Sequence, residues 1–90
     1  MNEQKRAATT RLNYPPGTRL KLIAMGNDPD PVPPGTRGTV VSVNSFGDIE
    51  MQWDNGRTLS LIPSEDSFQK LSIEELEAEQ DVGNIISQTM

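Results

Sequence analysis

Residues 33–63, PPGTRGTVVSVNSFGDIEMQWDNGRTLSLIP, decide the fold. Ile49, Met51 and Trp53 alternate with Asp48, Glu50 and Gln52, the pattern of a strand with one buried face. Asp54-Asn55-Gly56 follows, and Asn-Gly between two alternating runs predicts a tight hairpin. Its partner strand is Arg57–Ile62, with Leu59 and Leu61 inward and Pro63 as its end. Upstream, Thr39 to Val43 is rich in β-branched residues that suit a pleated surface. Val41 and Val43 are expected to face the core, in phase with Thr39. Gly38 signals a bulge or a close backbone approach at the strand start. Residues Asn44 to Asp48 close a second hairpin, with Gly47 at its left-handed position.

Working outward, Pro15-Pro16-Gly17-Thr18 predicts a type II turn, with proline presetting φ and glycine accepting a positive one. It launches a strand from Arg19 to Met25, in which Leu20, Leu22 and Ala24 alternate with Arg19 and Lys21. PPGTR recurs at 33–37, again just before a strand, and reuse of good turn chemistry explains the recurrence. Between the two copies, Gly26 to Gly35 holds four prolines, which exclude a helix or a central strand. This long loop, with Asp28 and Asp30, reads either as a contact surface on a rigid scaffold or as a stiff connector. Downstream, Ser64–Ser67 predicts a turn and Phe68–Leu71 a short closing strand. Ser72-Ile73-Glu74-Glu75 is a capping box and predicts a helix from Ile73 to Gln80 or Asp81, stopped by Gly83. Residues 84–90 are expected to lack structure alone, and 1–13, without periodicity, to form a flexible arm.

The fold class expected is all-β, a small five-stranded SH3-like barrel with a short C-terminal helix. Its parts are a basic arm (1–13), the barrel (14–71) and an acidic helix and tail (72–90). The expected core is Leu20, Leu22, Val41, Val43, Ile49, Met51, Leu59, Leu61 and Leu71, with Trp53 and Phe68 at its edges.

Composition removes several chemistries. The 90 residues contain no cysteine and no histidine. Disulfides, thiolate or imidazole metal sites and nucleophile–histidine pairs are therefore unavailable. No metal and no cofactor is expected. The seven glycines stand singly beside turns and form no phosphate loop. Carboxylates such as Asp48, Glu50, Asp54, Glu65 and Asp66 read as solvated acids rather than catalysts, because a barrel this small rarely holds a deep cleft. A non-enzyme is expected. No apolar run reaches membrane-spanning length and the N-terminus has no signal-like segment, so the expected location is the cytoplasm.

The net charge of −5 is unevenly distributed. Lys5, Arg6 and Arg11 against Glu3 make residues 1–13 net positive, whereas 72–90 carry Glu74, Glu75, Glu77, Glu79 and Asp81 without a base. Two binding functions fit. The first is a protein-interaction module whose partner lies against loop 26–35, the 44–48 turn and Trp53, with Tyr14 and Trp53 as aromatic anchors and Phe46 either a cap on the barrel end or a further contact residue. The second is nucleic-acid binding through Arg19, Lys21, Arg37 and Arg57, opposed by an isoelectric point near 4.5 and decided by whether these cations share a face. Self-association through Leu76, Ile85 and Ile86 is a use for the acidic tail.

The motifs YPPGTRLKL, PPGTRGTVVSV and IEMQWDNGRTLSLIPSEDSFQKL, in that order over Tyr14 to Leu71, resemble a family of small uncharacterised bacterial, phage and mobile-element domains. The resemblance implies an SH3-like barrel and no assigned biochemical role, and its mobile-element members imply a third function, inhibition of a host-defence or nucleic-acid enzyme by an acidic tail that imitates phosphates. The arm and the acidic tail lie outside it.

Overall fold

The computed structural model describes residues 3–88, with side chains placed from Lys5 to Gln80. In chain order it comprises α1 (Glu3–Asn13), β1 (Arg19–Ala24), β2 (Arg37–Val43), β3 (Ile49–Trp53), β4 (Ser67–Lys70) and α2 (Ile73–Gln88). The strands form one antiparallel sheet in the order β3-β2-β1-β4. The protein is thus mostly β, as expected, but with four strands rather than five and with a helix at each end.

The two PPGT turns build the centre of the sheet. Both are type II, with Gly17 at φ 93° and Gly35 at φ 89°. In each, the threonine amide and hydroxyl donate back to the first proline carbonyl: Thr18 to Pro15 and Thr36 to Pro33. Each turn then pairs with the strand launched by the other. Gly17 N donates to Val40 O and Val40 N to Thr18 O; Gly35 N donates to Leu22 O and Leu22 N to Thr36 O. With Arg19 opposite Thr39 and Lys21 opposite Arg37, the repeated pentapeptide generates a local two-fold arrangement about Leu20 and Gly38.

One face of the sheet is the core. Leu20, Leu22, Val40, Val43, Ile49, Met51, Trp53 and Leu61 are buried there, and burying each large side chain is worth about 1.5–3 kcal/mol. Val32, from the middle of the proline-rich loop, is also fully buried and closes the core from the side. That loop is a folded strap. Gly26 N and Ile62 N donate to the two oxygens of Asp66, which ties the start of the strap to the turn before β4.

Four expectations need correction. Val41 is half exposed and Val40 buried, because the β2–β3 register shifts between Val40 and Ser42, beyond Gly38 where a bulge was expected. A bulge moves the alternation by one residue, so Val43 returns to the core. Trp53 lies at the centre of the core, not its edge. Segment 57–62 is not a regular strand. It keeps hairpin register, with Trp53 N donating to Arg57 O and a two-way bridge between Ile49 and Leu61. Between these points the Trp53 indole donates to Leu59 O at 2.7 Å, taking the carbonyl that the Met51 amide would meet in a continuous ladder. Finally, 1–13 is not irregular: Glu, Gln, Lys, Arg and Ala favour helix, and Ala7 packs beneath the 44–48 turn. Pro15-Pro16 prevents that helix from continuing.

α2 runs through Gly83 to Gln88. A helical glycine costs only about 1 kcal/mol relative to alanine, which is not enough to end a helix by itself. The expectation of an unstructured segment is therefore overturned for 84–88. The side chains of Ile85 and Ile86 lie outside the described ones.

Candidate binding surfaces

The residues singled out in the sequence fall into five separate places. Trp53 is buried and satisfied, so it offers no contact surface. Tyr14 is half-buried, edge-on to Phe68 at 5.6 Å between ring centres, with Lys70 Nζ 5.2 Å from its own centre. Asp28, Asp30 and Arg57 belong to the strap. Asp28 Oδ1 accepts the Asp30 amide, and Arg57 donates to Asp30 O at 2.7 Å. Arg57 is thus drawn away from the other strand cations.

Phe46 is 70% exposed at the tip of the 44–48 turn. The turn is rigid: Asn44 Oδ1 accepts the amides of Phe46 and Asp48, and Asn44 N donates to Asp48 O. Arg11 of α1 donates to the carbonyls of Val43 and Asn44 at 3.3–3.4 Å, which fixes the helix alongside. Between them lies a groove of about 310 Å³, lined by Thr9 and Thr10 of α1, Phe46, Ile62 and Pro63, with Arg6 at its rim. Asp48 and Ile62 are shared with a second hollow of about 220 Å³, whose other lining includes Asp28, Glu65 and Asp66. The groove is therefore apolar at one end and acidic at the other.

The opposite face of the sheet carries Arg19 and Lys21 of β1 and Arg37 of β2. α2 lies over them. Arg19 makes a forked pair with Asp54 (2.8 and 2.7 Å) and a second with Glu79 (3.2 and 2.6 Å). Lys21 Nζ donates to Glu75 at 2.7 Å, and Arg37 reaches Glu79 at 3.2 Å and Glu75 at 3.5 Å. The capping box aims Glu75. Ser72 N donates to Glu75 Oε1, Glu75 N donates to Ser72 Oγ, and Oε2 is left for Lys21. Lys21 and the Ser72 amide hold the Glu75 carboxyl down to about 2. Arg19 lowers Asp54 and, with Arg37, Glu79; these acids in turn raise Arg19. The capping box was legible in the sequence. That its glutamate also reaches the sheet was not, although acids four residues apart at Glu75 and Glu79 mark one helix face.

Among the described residues no group of three or more potential metal ligands comes together, and no helix is long and apolar enough to cross a membrane.

Residues 3–71 match the model of a family described as a domain of unknown function, DUF4314. The chain belongs to that family. The match takes in α1, which the motif resemblance had left outside, and stops one residue before the capping Ser72. No curated protein and no solved structure matches the chain.

Proposed function

We propose that this DUF4314 domain is a non-enzymatic protein-interaction module that takes an extended partner segment in the groove between α1 and the 44–48 turn. The observation that carries this reading is Phe46: a large aromatic held 70% exposed on a rigid turn beside an apolar groove. Exposed aromatics on preorganised backbone are the usual anchors of protein interfaces. The acidic hollow next to Asp48 selects the partner's chemistry, a bulky apolar side chain followed by lysine or arginine. Tyr14, on another surface, and buried Trp53 are not part of this contact.

The strand order supports the barrel reading as well. Segment 57–62, bridged to Ile49, extends the sequence β4-β1-β2-β3 to a fifth position, the order of an SH3-like barrel. Inhibition of an enzyme through the acidic tail draws less support, because Glu75 and Glu79 are turned onto the protein's own cations.

Selection of a random peptide library on the immobilised full chain tests the interaction reading. Enriched peptides should share an apolar–basic pair and bind Phe46→Ser at least tenfold more weakly. Peptides that bind the variant as tightly would remove the groove from consideration.

A further inference from the structure

The cationic face under α2 has its own chemistry. Lys21 stands directly opposite Arg37 in the β1–β2 register. Like charges in that relation repel and destabilise a sheet. Arg19 lies two residues from Lys21 on the same face, so three cations occupy neighbouring positions on two strands. Such a face requires anions, and α2 supplies two, Glu75 and Glu79, one helical turn apart.

Among the described side chains, it is chiefly charge that holds α2 there. Ile73 is 74% exposed and Leu76 37% exposed, and neither belongs to the core. The sheet residues around the contact, Thr39, Gln52 and Gln69, are polar. Ile23 and Val41, the exposed apolar residues of these two strands, lie beyond the cations at opposite ends of the row, so no apolar side chain stands between Arg19, Lys21 and Arg37 to form the centre that interfaces between proteins require. A phosphodiester backbone needs none. Both arginines offer planar forks, the donor arrangement that suits carboxylate and phosphate alike.

We propose that the outer face of β1 and β2, carried by Arg19, Lys21 and Arg37, binds the phosphate backbone of a nucleic acid strand, and that α2 occupies it as an intramolecular competitor. The face carries no aromatic side chain, so bases are not stacked and binding is independent of sequence. Three phosphate contacts on a single strand give a slope of about −2 in log affinity against log salt. The proposal involves different residues from the groove and stands or falls separately.

The test is fluorescence anisotropy of a labelled 20-nucleotide oligothymidine with the wild type and four full-chain variants at low salt. Glu75→Gln/Glu79→Gln should bind about tenfold more tightly than the wild type. Glu74→Gln/Glu77→Gln, with the same change in net charge but on exposed positions, should stay near wild type. Arg19→Gln/Arg37→Gln added to the first variant should abolish the gain. Ser72→Ala, which loosens the helix without changing charge, should raise affinity in the same direction by a few-fold. Equal gains from the two glutamine pairs would show a general charge effect and overturn the proposal, as would no binding by any variant. A glutamate-rich peptide bound as tightly as the oligonucleotide would overturn the assignment to phosphate.

Discussion

A methyl group at Gly38 would lie 2.7 Å from Trp53 Cε3 and 3.0 Å from Met51 Cε. Neither neighbour has room to move, since both are buried in the centre of the core. Gly38→Ala should therefore cost about 1–3 kcal/mol, the usual range for overpacking, and appear as a lower urea midpoint with unchanged slope. An unchanged midpoint would mean that the indole does not pack on β2. At this scale the sequence was readable where alternation was clean. Ile49, Met51 and Trp53 face inward as their spacing required. It was unreadable where alternation slips: nothing in Val40-Val41 says which valine precedes the bulge. Val32 was hidden for another reason. It is a single apolar residue among prolines, and only the path of the strap brings it to the core.

Among elements, α2 gives the sharpest expectation because its attachment is ionic. Glu75 and Glu79 both have their pKa lowered in the docked helix. A group whose folded pKa is lowered contributes fully above its unfolded value and loses that contribution as the pH falls through the folded one. For Glu75 the window runs from 4.5 down to about 2. Docking, followed by the amide resonances of Lys21 and Arg37, should be complete above pH 4.5 and fade on acidification across that window. It should also weaken at about 1 M salt, where screening acts over roughly 3 Å. Docking indifferent to both would place the hold on the covered part of Leu76 rather than on the ion pairs. The start of α2 was legible because a capping box is a local signal. α1 was missed because it has no apolar stripe; a buried alanine and the Arg11 hydrogen bonds hold it instead. Its run of helix-forming residues from Glu3 to Ala8 was the available clue.

For the molecule as a whole, the core cluster lies within the sheet, the strap and segment 57–62, with Ala7 of α1 and Leu71 after β4 also buried, and the family match spans the same region. A chain ending at Leu71 should unfold cooperatively, with a midpoint closer to the full chain than that of Gly38→Ala. Loss of cooperativity would give α2 a structural role that its exposed face does not indicate. The antiparallel sheet and the turns followed from sequence, whereas the groove did not. It joins α1, the 44–48 turn and Ile62-Pro63, three segments with no shared pattern, and becomes visible only once Arg11 has placed the helix. Whether this groove is the contact surface is decided by an amide-resolved titration of the full chain with a library-selected apolar–basic peptide. Shifts confined to Thr9, Thr10, Phe46, Gly47, Asp48, Ile62 and Ser64, and absent in Phe46→Ser, are predicted. Shifts centred on Tyr14 and Lys70, or on β1 and β2, would contradict it.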